Sequence, residues 1–337
     1  MILLIGPGAV GTILATHLMA AKKEPLRLYV REKYLSAMQA LPQLQMDYMT
    51  QRAPLIAAKP ELTTSLDLTG VDYIFLCVKF PDLDALLSQL PPIPTNCTLV
   101  STLNGIAPLR LIKERLPNAK LVPMSVMFNG QLPAPLHAKI TTKAQVLIGS
   151  DDSRLLSCFE GSGLQALRAE GESAVWGKLL INLANAVCAI THTTFRDLLS
   201  QRDMRAIYVA VLDEAVALLE LSNIPYQLLV PLPYPAYRKF ILHGGPLPWW
   251  VAKIKNGLKD GAYPSMVSDI EQQRRTEVDQ LNGEIILLAK QRDMRAPISA
   301  RIVELVKAIE GQANPVYLSP KELRLRLGIE SQLRLNA

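Results

Sequence analysis

From residue 1 to about 150, short apolar runs alternate with helix-like stretches. The runs Ile2 to Ile5, Leu26 to Val30, Tyr73 to Val78, Thr98 to Ser101, Leu121 to Val126 and Gln145 to Ile148 predict strands, and the alternation predicts βαβ units around a parallel sheet. Several runs are apolar throughout, as befits strands covered by helices on both faces. Beyond Asp151 the strand pattern fades. The spacing then predicts a long apolar helix over about Trp176 to Leu199 and another over about Met204 to Leu221, with Asp203 as its N-cap. Pro225 to Pro248 is proline-rich and predicts short pieces at most. After Pro264 an amphipathic helix is predicted over about Ser265 to Gln291, and one more near Ile298 to Glu310. From Gly311 the chain turns polar and basic and reads as a peripheral tail.

A chain of 337 residues is long for one core and ordinary for two. The pattern divides it into an α/β domain with a parallel sheet over 1–170, an all-α domain over 171–311 and a tail over 312–337. With 49% hydrophobic and 20% charged residues, the composition excludes a disordered chain. The net charge of +6 is scattered between Lys22 and Arg334, so no basic block points to nucleic acid. No basic segment precedes Met1 to Ile5, and glycines follow it at once, which marks a buried strand and not a signal peptide. The apolar stretch Leu179 to Thr191 is too short to span a bilayer and holds Asn182 and Asn185. A cytoplasmic protein without a membrane segment is expected. Cys77, Cys97, Cys158 and Cys188 show neither CxxC spacing nor histidine companions; buried thiols are expected, with no metal site and no disulfide framework.

The run Gly6-Pro7-Gly8-Ala9-Val10-Gly11 contains G-x-G-x-x-G directly after the first strand, and opens a helix through about Met19. In that setting Gly6 permits the tight turn, Gly8 admits a pyrophosphate to the backbone, and Gly11 lets helix and strand pack closely. The N–H groups of Ala9, Val10 and their neighbours at the helix start face the anion. The first domain is therefore expected to be a Rossmann dinucleotide-binding unit. At the end of the second strand, where an NAD-binding unit places a carboxylate for the ribose 2′-hydroxyl, this chain has Arg31. A guanidinium holds a 2′-phosphate, so the expected cofactor is NADPH.

In the helical half, Lys178, Asn182 and Asn185 fall at i, i+4 and i+7 and form one polar stripe on an otherwise apolar helix. A lysine in such company is partly buried, which is unfavourable unless it is paired or employed. Glu277 falls on the apolar face that Ile270, Leu281 and Leu288 define. Its partner is either Arg274, one turn earlier, or a substrate or Lys178. Ser265, just after Pro264, fits both a helix N-cap and a substrate contact. Of the histidines, only His192, in the second half of the Lys178 helix, is a candidate acid, and no motif supports it.

Several separated motifs together resemble the ketopantoate reductase (2-dehydropantoate 2-reductase) family, from residue 1 to about 310. Besides the glycine run and Arg31, Cys77-Val78-Lys79 resembles the family's strand-end lysine near the cofactor, and Thr102-Leu103-Asn104-Gly105 its asparagine beside nicotinamide and substrate. Trp176-Gly177-Lys178-Leu179-Leu180-Ile181-Asn182 resembles the segment with the catalytic lysine and a substrate asparagine. Pro264-Ser265-Met266 through Arg275-Thr276-Glu277-Val278-Asp279 resembles the one with a substrate serine and an essential glutamate. The resemblance implies a helical domain like that of 6-phosphogluconate dehydrogenase, with the active site in a cleft between the domains. It implies NADPH-dependent reduction of 2-dehydropantoate to pantoate, in pantothenate and coenzyme A biosynthesis, by a monomer or homodimer. Lys178 would donate the proton; Asn104 and Asn182 would orient, and Ser265 and Glu277 would grip the substrate. The family's second asparagine is replaced by Ala186, with Asn185 one place earlier, so another 2-oxo acid remains an alternative. A non-catalytic NADP-binding sensor is the alternative of another class.

Overall fold

Every residue of β1 (Ile2–Ile5) is buried, and the two faces of the strand serve two different cores. Ile2 and Leu4 join one apolar cluster with Ile13, Leu14 and Leu18; Leu3 and Ile5 join another with Ile74, Leu76, Leu83 and Ile112. A strand covered on both sides has no polar face, which is why its sequence carries no alternation. The computed structural model describes residues 1–48, 52–228, 230, 232–256 and 260–329, and the chain forms two units, Met1–Val175 and Trp176–Ala337.

The first unit continues through α1 (Ala9–Ala21), β2 (Leu26–Tyr29), α2 (Glu32–Gln39), β3 (Gln43–Tyr48), β4 (Leu55–Ala58), β5 (Glu61–Thr63), β6 (Tyr73–Leu76), α3 (Phe80–Leu87), β7 (Thr98–Ser101), α4 (Ala107–Arg115) and β8 (Lys120–Val126). It ends with β9 (Gly130–Ala134), β10 (His137–Ile140), β11 (Gln145–Ile148), α5 (Ser153–Ser157) and β12 (Gln165–Arg168). One sheet has the order β12-β11-β8-β7-β6-β1-β2-β5 and a smaller one the order β4-β3-β10-β9. The large sheet is parallel apart from the antiparallel β11–β8 pair. Its order reverses at β1, which pairs in parallel with β2 on one side and β6 on the other. In such sheets the crevice beyond the strand ends at this reversal is where ligands bind.

All six expected strands are present, with β2 ending at Tyr29 and β6 at Leu76. The strands missing from the sequence reading are β3, β4, β5, β9, β10 and β12. Most of them leave much of their surface exposed, β9 and β12 above all, so they lack the apolar run that marks a central strand. β3 did carry a signal: Leu44 and Met46 are buried on one face and alternate with polar neighbours.

The second unit is helical, and no strand follows Arg168 among the described residues. It contains most of α6 (Gly171–Thr191), then α7 (Phe195–Ser200), α8 (Arg202–Leu221), α9 (Tyr234–His243), α10 (Leu247–Asn256), α11 (Ser265–Glu271), α12 (Val278–Gln291), α13 (Pro297–Ile309) and α14 (Pro320–Arg326). By length and composition α6 alone among the described helices is apolar enough to cross a membrane, and it is mostly buried in the protein.

Several expected boundaries are corrected. The helix expected over Trp176 to Leu199 is two: α6 ends before His192, at φ 50°, and Thr194 starts α7 through a capping box with Asp197. Gln201, not Asp203, is the N-cap of α8. The proline-rich interval, expected to hold short pieces at most, holds the ten-residue α9 and the start of α10, because proline is tolerated in a helix's first turn. The helix expected over Ser265 to Gln291 breaks after Glu271, where Gln272 to Arg275 are exposed and Gln273 turns left-handed at φ 53°. The stretch from Gly311 carries α14, whose Ser319–Glu322 capping box and buried Leu323 seat it on α8. Arg324 also pairs with Asp203 of α8.

Candidate functional site

At the reversal of strand order in the first unit lies a cavity of about 740 Å³. Gly6, Pro7 and Gly8 follow β1 into it, Arg31 follows β2, and Cys77, Val78 and Lys79 follow β6. Gly6 sits at φ +105°, and a Cβ there would stand 2.8 Å from the Cys77 carbonyl oxygen, so only glycine fits this turn. At Gly11 a Cβ would lie 2.0 Å from the Gly6 carbonyl oxygen, so the start of α1 packs directly on the turn. Gly8 differs: nothing lies within 4 Å of its Cβ position. It is the N-cap of α1 and makes no side-chain capping bond, so the first N–H groups of the helix, at Ala9, Val10 and Gly11, lack intrahelical acceptors.

The strand ends are tied together below this turn. Cys77 N–H donates to the Ile5 carbonyl at 2.8 Å, and the Thr102 hydroxyl donates to the Leu76 carbonyl at 2.9 Å. Burial pushes the Cys77 thiol up to about 12, so it is a neutral wall and not a nucleophile. Lys79 is exposed at the N-cap of α3. Arg31, the N-cap of α2, pairs with Asp82 of α3 at 3.1 Å. Asn104 lies in the turn after β7, half-buried and outside the wall of this cavity. The sequence reading missed most of the remaining lining, including Tyr34 and Met38 of α2, Asp82 and Leu86 of α3, and Leu132 to Pro135 around the β9–β10 turn. Asp82 carried a signal, since it stands three residues after Lys79 behind a helix-starting proline.

The cavity fits a dinucleotide. An anion finds the open backbone at Gly8 and the N-terminus of a 13-residue helix, and a guanidinium lies on the same wall. The space between α2 and α3, with Tyr34, Met38 and Leu86, supplies apolar and aromatic surface for a base.

In the second unit the structure brings Lys178 and Glu277 into electrostatic reach of each other. Lys178 stands on α6 among the buried Leu179, Leu180, Leu183 and Trp176. Part of the side chain stays accessible, but desolvation lowers its ammonium to about 8, with Glu277 opposing the fall. Asn182, half-buried, and Asn185, buried, continue the stripe. Glu277 reaches Lys178 from a place the sequence did not predict, the N-cap of α12. It is held there by Thr276, whose N–H and hydroxyl both donate to Glu310 at 2.7 Å. Arg274 is committed elsewhere, pairing with Asp269 at 2.8 Å. Ser265 is exposed in the first turn of α11, and Pro264 takes the N-cap position. His192, past the end of α6, donates from Nε2 to a Glu271 carboxylate oxygen at 2.8 Å and packs against Tyr263 and Tyr317, a joint between segments of this unit.

Residues 2–153 match the family profile described as ketopantoate reductase PanE/ApbA, and residues 171–310 match that of its C-terminal domain. A protein of Vibrio cholerae named 2-dehydropantoate 2-reductase is 24% identical over 92% of this chain and 97% of its own length. One of the same name from Mesorhizobium japonicum is 24% identical over 91% and 97%. Among solved structures, a PanE/ApbA family ketopantoate reductase from Ralstonia eutropha superposes with a TM-score of 0.73 at 21% identity, covering 92% of this chain and 98% of the other. A D-mandelate dehydrogenase bound to NADH gives 0.73 at 20% identity over 93% and 99%.

Proposed function

Because this chain belongs to the ketopantoate reductase family of oxidoreductases, we propose that it reduces a 2-oxo acid with NADPH, converting 2-dehydropantoate to pantoate. The observation that carries the reading is Lys178, desolvated on an apolar helix with its ammonium near 8 and Glu277 close by. Strongly perturbed groups of this kind mark catalytic sites. A non-catalytic NADP-binding sensor has no use for so unfavourable a lysine.

Bound NADPH supplies the hydride for the ketone carbon. Everything else falls to the protein. As the carbonyl carbon is reduced, charge builds on its oxygen, and Lys178 Nζ donates a proton there. Asn104 and Asn182 orient the reacting groups, Asn185 extends the polar surface, and Ser265 and Glu277 hold the substrate's polar ends. The turn from Gly6 to Gly11 and the N–H groups of α1 bind the pyrophosphate, Lys79 adds a positive charge nearby, and Arg31 takes the 2′-phosphate. We place the enzyme in the cytoplasm as a monomer or homodimer acting on a small molecule, without nucleic acid or membrane.

A second substrate reading has its own support: Ala186 stands where the family often has an asparagine, and the fold is shared with D-mandelate dehydrogenase. The test is NADPH oxidation by the pure protein against a panel of 2-oxo acids that includes ketopantoate and an aryl 2-oxo acid. The highest kcat/KM is expected for ketopantoate; an aryl preference would move the assignment to the second reading, and no oxidation with any 2-oxo acid would refute both. NADPH should bind more tightly than NADH. One charge-assisted contact contributes roughly 1.5 to 3 kcal/mol, so Arg31→Ala should weaken NADPH about tenfold to a hundredfold while sparing NADH; equal affinities in the unmodified protein would contradict this.

A further inference from the structure

Arg31 does not face the dinucleotide cavity alone. Its Nη2 lies 3.1 Å from Oδ1 of Asp82, and each side chain keeps about half its surface accessible, 56% and 52%. Both line the same cavity. Arg31 is fixed at the N-cap of α2 and Asp82 in the first turn of α3, where its N–H donates to the Lys79 carbonyl at 3.0 Å. The pair therefore joins the segments that follow β2 and β6, the two neighbours of β1.

A carboxylate in this position treats the two dinucleotides oppositely. A ribose 2′-hydroxyl is a donor, and a carboxylate is its natural acceptor. A 2′-phosphate is an anion; it meets Asp82 as a like charge and must draw Arg31 from the partner it already has. We propose that Asp82 sets the cofactor selectivity of this cavity, accepting the 2′-hydroxyl of NADH and opposing the 2′-phosphate of NADPH. The protein then uses both dinucleotides, with a preference for NADPH narrower than Arg31 alone would give. This rests on the dinucleotide reading above and extends it. The pair is exposed, so its effect is screened and amounts to a few-fold change per cofactor.

The test is the dissociation constant of NADH and of NADPH for the full chain and for Asp82→Asn, by calorimetry without substrate. Removing the charge should tighten NADPH and weaken NADH, raising the ratio of the two constants about fivefold or more. ADP-ribose and its 2′-phosphate should show the same change, which locates the effect at the ribose and not at the nicotinamide. Asp82→Ser, which keeps an acceptor in the first turn of α3, serves if the asparagine variant is unstable. A role confined to stabilising α3 would alter Tm and leave the ratio unmoved. If both dinucleotides bind and the ratio stays within twofold of its original value, Asp82 is not a selectivity residue, although the dinucleotide reading stands. If neither binds the unmodified protein, the dinucleotide reading falls and this inference with it.

Discussion

Replacing Glu277 by glutamine tests the proton donor without touching it. The Lys178 ammonium falls from 10.5 to about 8, because desolvation outweighs the attraction of Glu277. That net fall corresponds to about 3 kcal/mol against the charged form. A donor works only when protonated: with a pKa near 8, about nine-tenths of the lysine is charged at pH 7 and about one-tenth at pH 9. The kcat/KM of reduction, which follows the groups of the free enzyme, should therefore drop about tenfold per pH unit on the alkaline side of 8. Glu277→Gln removes the group that holds the lysine up, so the alkaline limb should move to lower pH and activity at pH 7 should fall. If Glu277 also grips the substrate, KM rises as well, but that change does not move the limb. Lys178→Ala should lower turnover by roughly a hundredfold to ten-thousandfold and leave NADPH affinity nearly intact. A limb that stays in place in Glu277→Gln would refute the pairing, and a folded Lys178→Ala protein with normal turnover would refute the mechanism. Stability carries the opposite sign. A lysine whose folded pKa lies below its unfolded value destabilises the fold fully below pH 8, and the penalty is relieved as pH rises from about 8 to 10.5. Lys178→Met should thus melt higher than the parent at pH 7, an advantage that shrinks toward pH 10.5.

Two glycines separate folding from binding. Gly11→Ala drives a Cβ into the Gly6 carbonyl oxygen and should lower stability by about 1–3 kcal/mol, as read by urea denaturation. Gly8→Ala meets no protein atom, so it should leave the urea midpoint unchanged while weakening dinucleotide binding; equal effects of the two would show that Gly8 does not face the ligand. Leu323→Ala, emptying a fully buried site under α14, should lower stability by about 2–4 kcal/mol, and a change below 0.5 kcal/mol (roughly that of a surface substitution) would show that α14 does not dock firmly.

The parts of the protein legible in the sequence are those governed by one local rule. β1 is apolar because both faces are covered, and the glycine turn is readable because backbone geometry allows few residues there. The stripe of Lys178, Asn182 and Asn185 follows from helical period alone. What stayed hidden depends on distant partners. Half-exposed strands such as β9 and β12 take their conformation from a neighbour, not from their own pattern. The helical run from Ser265 to Gln291 looked continuous because Ile270, Leu281 and Leu288 keep a common period, whereas the break depends on Glu310 capturing Thr276 and Asp269 capturing Arg274. Asp82 was visible as a residue but not as the partner of Arg31, because strand order decides that meeting.

The break between α11 and α12 also bears on how such a protein can change. Each helix is closed by its own contacts: the Arg274 N–H donates to the Asp269 carbonyl at 2.8 Å, and Glu310 fixes Thr276. In one continuous helix an added residue would rotate all that follows by about 100°, carrying Glu277 and its apolar backing out of register together. Here an insertion among Gln272 to Arg275, which are exposed, is absorbed by the connection. The span between Ser265 and Glu277 can lengthen or shorten while Ile270 and Leu281 stay seated. Segment length, and not side-chain replacement, is then the least disruptive route by which a descendant of this chain would come to accommodate a larger or smaller molecule.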